Sequence, residues 1–100
     1  MIVPPKLKQK DEIRIIAPAR SLSLLSEDLI KLASCESSLN PNAQGDQNTS
    51  FGLFQFKKTT WQEECEGDIW EVEDQVDCAA KLIKKGEGAR RWKKCWEKLL

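Results

Sequence analysis

The chain is expected to be a small, mainly α domain, on three observations. Apolar residues recur at helical spacing in successive stretches after residue 25, each with a solvated opposite face. A length of 100 residues fits one domain with a modest core. Four cysteines, at 35, 65, 78 and 95, offer crosslinks to a chain of this size. The expectation is about four helices, with little sheet beyond a small hairpin and an N-terminal strand.

That strand is read from Ile13-Arg14-Ile15-Ile16, a β-branched run ended by Ala17-Pro18. It places an appendage over residues 1–24 and the domain proper over 25–100. The first helix begins at Ser26, a good N-cap, with Glu27 and Asp28 suited to the positive end of the helix dipole. Leu29, Leu32, Ala33 and Glu36 then share one face, away from Lys31 and Ser34. A glutamate on that apolar side at a helix end is partly desolvated, which favours its protonated form.

Asn40 to Ser50, rich in Asn, Gln, Gly and Ser, reads as a loop or short irregular hairpin. Gly52 permits close backbone approach beside the glutamate. Phe51, Phe54 and Phe56 divide between core and surface. Thr59 and Thr60 start a helix, with Gln62 and Glu63 at capping-box spacing and Trp61 directed to cleft or core. Asp68 to Gly86 gives the next helix, with Val72, Val76, Ala79 and Ile83 on one stripe and Gly86 as its stop. Trp92, Cys95, Trp96 and Leu99 repeat the spacing in a last helix, as core positions first.

Sixteen basic and sixteen acidic residues give a formal net charge of zero, which leaves no bulk electrostatic drive toward nucleic acid or a membrane surface. The distribution is uneven: residues 21–80 carry three basic and twelve acidic side chains, and residues 81–100 carry eight basic and two acidic. No apolar run is long enough to span a bilayer, and Met1 to Leu25 contains no uninterrupted apolar leader. With no histidine and no Cys-x-x-Cys pair, the cysteines suit disulfides better than a metal, which implies an oxidising compartment. Their pairing is open among three arrangements, and four reduced, buried thiols are the alternative.

The chemistry concentrates in Cys35-Glu36-Ser37-Ser38-Leu39-Asn40-Pro41-Asn42-Ala43, followed by Ser50-Phe51-Gly52-Leu53-Phe54-Gln55-Phe56 and Thr59-Thr60-Trp61. A desolvated glutamic acid beside a sugar-sized wall is an arrangement that donates a proton to a glycosidic oxygen. In order and spacing these segments resemble the lysozyme-like superfamily: soluble lytic transglycosylases, goose-type lysozymes and, most closely, resuscitation-promoting-factor-like domains. The likeness runs over about residues 25–96 and includes the closing Gly86 to Gly88 turn and Trp92 to Cys95.

That resemblance implies a lysozyme-like fold that cleaves the β-1,4 bond between N-acetylmuramic acid and N-acetylglucosamine in peptidoglycan. Glu36 is then the catalytic acid, and Gln55, Ser50, Phe51, Gly52, Trp61 and Asn42 are the substrate contacts. It also implies Cys35 bonded to Cys95, which leaves Cys65 for Cys78. No cofactor or metal is called for. The partner is the glycan strand, and the protein is a monomer outside the cytoplasm. Asp46 is a turn residue, or a second carboxylate that holds a water. Phe51 stands where the family commonly has tyrosine, which removes one sugar hydrogen bond. A non-catalytic glycan-binding or virion structural module with the same fold is the alternative. Residues 2–20 separately resemble the opening strand of LD-carboxypeptidases, but the chain has no histidine with which to carry that peptidase activity.

Overall fold

The computed structural model describes residues 5–19 and 25–99, and among them it has six helices and a three-stranded antiparallel sheet of two-residue strands. The first element is a helix, α1 (Pro5–Ala19), and not the strand expected there. Helical spacing puts Ile13, Ile16 and Ala17 on one side. Ile13 and Ala17 are buried and Ile16 packs against the core, whereas Ile15 is 71% exposed. A β-branched run is ambiguous between strand and helix, and here packing on two other helices decides it. Pro5 at the first helical position loses no needed N–H. The expected boundary near residue 24 lies outside the described residues.

Helix α2 (Leu25–Ser37) carries Glu27 and Asp28 in its first turn and buries Leu29, Ile30, Leu32 and Ala33. The chain leaves it through two left-handed residues, Ser38 (φ 56°) and Leu39 (φ 61°), and Ser37 Oγ donates to the Ala33 carbonyl. The Asn-rich segment then forms β1 (Gln44–Gly45) and β2 (Ser50–Phe51), and β3 (Phe56–Lys57) completes the sheet. Gly45 pairs with Ser50, Ser50 with Lys57 and Phe51 with Phe56. Three consecutive residues at positive φ, Asp46, Gln47 and Asn48, make the first turn, with Thr49 N–H donating to the Gly45 carbonyl.

Helix α3 (Lys58–Glu64) starts one residue before Thr59, on an extended Lys57. The capping box expected from Thr59 and Thr60 is not made, because the N-cap position falls on Lys57, whose side chain makes no cap hydrogen bond. Helix α4 (Val72–Lys84) starts later than Asp68. Gly67 has φ 87°, and the Asp68 carboxylate accepts from Trp70 N–H at 2.9 Å, so this stretch turns before the helix begins. Its end is as expected: Gly86 has φ 82°, Gly86 N–H reaches the Ile83 carbonyl and Glu87 N–H the Leu82 carbonyl, the paired bonds of a Schellman stop.

The expected last helix is two short ones, α5 (Gly88–Arg91) and α6 (Lys93–Glu97), broken at Trp92 (φ −127°, ψ 56°). A side chain at Gly88 would collide with the Trp96 ring, so glycine is what lets α6 fold back on α5. Disulfides join Cys35 to Cys95 across 5.8 Å between Cα atoms and Cys65 to Cys78 across 5.3 Å. This is the pairing that the resemblance implies. The core runs from Ile13 and Ala17 through Leu29, Leu32 and Ala33 to Leu53, Phe54, Val76, Ala79 and Leu82, and is closed by Phe56 and Trp92.

Candidate active site

Glu36 occupies the last turn of α2, one residue after the disulfide that ties this helix end to α6. The apolar stripe that buries Leu29, Leu32 and Ala33 carries Glu36 to the edge of the core, where it is half-buried. Burial pushes its carboxyl above the usual carboxylate range, and the negative charge of Asp46 adds to the effect. Glu36 opens onto a cleft of about 330 Å³, with Asp46, Ser50, Gln55 and Lys57 on the hairpin side. Phe56 from β3, Thr60 from α3 and Trp92 from the break between α5 and α6 also line it, as do Arg90 and Arg91 from α5.

The sheet register builds the hairpin wall. Ser50 and Lys57 are paired across β2 and β3, so their side chains share a face and meet at one carboxylate. Ser50 Oγ donates to Asp46 Oδ2 at 2.9 Å, and Lys57 Nζ donates to the same oxygen at 3.0 Å. The Lys57 and Ser50 hydrogen bonds hold Asp46 below the usual carboxylate range. Two carboxyl groups on one cleft are therefore driven apart: Glu36 toward the acid, Asp46 toward the anion. Asp46 is at once a turn residue at φ 49° and a cleft residue.

Gln55 lines the cleft with a fixed side chain. Its Nε2 donates to the Gly52 carbonyl at 2.9 Å and to the Ala43 carbonyl at 3.4 Å, and its Oε1 lies against Gly45. Of the six expected substrate contacts, Gln55 and Ser50 line the cleft with Glu36, and Phe51, Gly52, Trp61 and Asn42 do not. Phe51 meets Trp70 edge-on at 5.5 Å between ring centroids. Strand alternation turns it off the face that Ser50 presents. Gly52, at φ 85°, is approached closely, but by the Gln75 amide and not by the glutamate: a side chain there would come within 2.8 Å of it. Trp61 is a core residue whose Nε1 donates to the Gly67 carbonyl at 3.2 Å. Asn42 is exposed in the turn after Pro41, where its N–H donates to Asn40 Oδ1.

Gln75 is a polar residue on the buried side of α4, off the apolar stripe that the helical spacing marks. It is fully buried. Its Oε1 accepts from Leu53 N–H at 2.8 Å, and its Nε2 donates to the Ile69 carbonyl at 2.7 Å and the Pro41 carbonyl at 3.2 Å. One amide thus joins the loop after Glu36, the glycine segment under the hairpin and the turn before α4, and its donors and acceptor are all used. Trp92 also serves two ends, with its ring at the cleft and its Nε1 donating to the Phe54 carbonyl at 2.8 Å. Lys57, Arg90 and Arg91 also line the cleft, outside the motifs that mark Glu36 and Gln55. The only sequence signal for Arg90 and Arg91 is the excess of basic residues after residue 80, since the break at Trp92 is not encoded in the periodicity, and Lys57 reaches the cleft through the strand register.

A mainly α domain that presents one half-buried glutamic acid to a polar cleft, facing a small hairpin, is of the lysozyme-like class. The chain belongs to the transglycosylase SLT domain family, whose model matches residues 14–94. Membership supports peptidoglycan lytic transglycosylase-type activity in general. The chain has no significant match among curated proteins or solved structures. Among the described residues no helix is long and apolar enough to cross a membrane.

Proposed function

We propose that the chain cleaves the β-1,4 bond between N-acetylmuramic acid and N-acetylglucosamine, with Glu36 as acid and then as base. The observation that carries this is the half-buried Glu36 carboxyl, biased to its protonated form by burial, at the edge of an open cleft. Glu36 gives its proton to the bridging oxygen as the bond to the muramoyl C1 breaks, and the N-acetylglucosamine leaves as an alcohol. The positive charge that develops on the muramoyl ring sits in a cleft that also holds the Asp46 anion. The ionised Glu36 then takes the proton of the muramoyl 6-hydroxyl as that oxygen bonds to C1. The product is a 1,6-anhydro end, and Glu36 is again protonated.

No second carboxylate transfers a proton or forms a bond in this route, so Asp46 acts through its charge and its turn. Gln55 flanks the sugar, and the buried Ser50 acts on the cleft through its hydrogen bond to Asp46. The two disulfides suit an extracytoplasmic protein acting on the wall. Mass analysis of the soluble products from purified peptidoglycan tests the proposal: 1,6-anhydromuramoyl ends are expected. Reducing muramoyl ends would contradict the transfer step, and intact glycan would contradict the cleavage itself.

A further inference from the structure

Acid catalysis on an uncharged sugar leaves the arginines of the cleft unexplained. Arg90 and Arg91 line the same cleft as Glu36, and their existing engagements differ. The side chain of Arg91 is 17% exposed, and it donates through Nε to Glu87 at 2.8 Å and reaches Glu64 at 3.6 Å. That of Arg90 is 64% exposed and shares Glu87 through one terminal nitrogen at 3.0 Å. Glu87 also takes Lys85 at 3.4 Å, and Lys85 pairs with Glu64 at 3.2 Å. Three cations thus meet two carboxylates, and the surplus positive charge is most exposed at Arg90. A guanidinium with free N–H groups at a cleft rim matches the two oxygens of a carboxylate.

We propose that the Arg90 rim is a subsite for a carboxylate borne by the substrate, the free carboxylate of the peptide stem on a muramoyl residue. The assignment rests on the glycan-cleaving reading, since the anion must arrive on the strand that Glu36 attacks. Every muramoyl unit in the cleft brings its stem with it, whereas the phosphate of another wall polymer arrives independently. The cleft therefore favours strands whose stem carboxylates are free over strands whose stem carboxylates are amidated.

Calorimetric titration of soluble, uncrosslinked tetrasaccharide-peptide fragments, which contain an internal bond from muramoyl C1 to N-acetylglucosamine and carry free or amidated stem carboxylates, tests this on the whole chain. The native chain is expected to bind the free form about fivefold more tightly, the scale of one exposed ion pair, with the margin shrinking as salt is added. In Arg90→Gln the ratio of the two dissociation constants falls toward one, and Arg90→Lys restores part of it. Equal binding by the native chain, an unchanged ratio in Arg90→Gln, or binding of neither fragment overturns the subsite. Inorganic phosphate that displaces the free form as readily as acetate does would make the rim a general anion site and overturn the stem assignment. Cleavage of the same fragments is scored separately. Cleavage without discrimination defeats the subsite alone, and discrimination without cleavage defeats the Glu36 reading alone.

Discussion

At the scale of single residues the site depends on two carboxyl groups whose environments pull in opposite directions. In the proposed mechanism protonated Glu36 is the active form for bond breaking, so activity is expected to fall as pH rises through its pKa, which lies above the ordinary 4.5. Asp46→Asn removes the charge that helps raise that pKa, and asparagine tolerates the left-handed backbone at this position. The alkaline limb of the pH–rate profile is therefore expected to move toward acid in Asp46→Asn. A limb that stays in place would mean that Glu36 does not feel the Asp46 field. The sign for stability follows from the same shift. A carboxyl whose folded pKa is raised contributes fully below its unfolded value and loses that contribution as pH rises through the folded value. Glu36→Gln should thus be at least as stable as the native chain near neutral pH, which a thermal melt checks.

At the scale of elements, the cleft is held open by what stands behind it. Replacing Gln75 with leucine leaves Leu53 N–H and the Ile69 and Pro41 carbonyls without their buried partner. At about 1–3 kcal/mol for each buried unsatisfied group, a loss of roughly 3 kcal/mol or more is expected in denaturant titration, with weakened cleavage as the Glu36 loop and hairpin separate. A loss under about 1 kcal/mol would show that the three segments hold themselves in place. The disulfides act on the unfolded chain: spans of 60 and 13 residues correspond to about 4 and about 3 kcal/mol in the loop-entropy model. Cys35→Ser with Cys95→Ser should cost the greater stability and also loosen the end of α2. The stripe on α2, the Gly86 stop and the even cysteine count were legible because each is a local pattern. Gln75 was not, because a polar residue in a helix reads as surface until the loops it joins are seen in space.

At the scale of the molecule, α1 bears on where the folding unit begins. Ile13 and Ala17 are buried in the same core as Leu29 and Val76, and the family match opens at residue 14. The division into an appendage over 1–24 and a domain over 25–100 is therefore a matter for truncation. Burial of Ile13 alone is worth about 2 kcal/mol, so removing residues 1–20 is expected to lower the melting temperature by roughly 10 °C or more. An unchanged melt would make the segment an appendage in the thermodynamic sense. The sequence pattern could not separate strand from helix in this run, because the choice is made by the faces of α2 and α4 that receive it. The same holds for the cleft: Glu36 and Gln55 are readable from their motifs, but the meeting of Ser50, Lys57 and Asp46 needs the hairpin register, and the approach of Arg90 and Arg91 needs the break at Trp92.

The most direct test of the account is the rate at which Glu36→Gln releases soluble muropeptides from purified peptidoglycan, with the melt of the same sample as a control for folding. The amide keeps the volume and loses the transferable proton, so a loss of about a hundredfold or more is expected with the fold intact. A folded Glu36→Gln chain that keeps more than about a tenth of the native rate would contradict the assignment of Glu36 as the general acid.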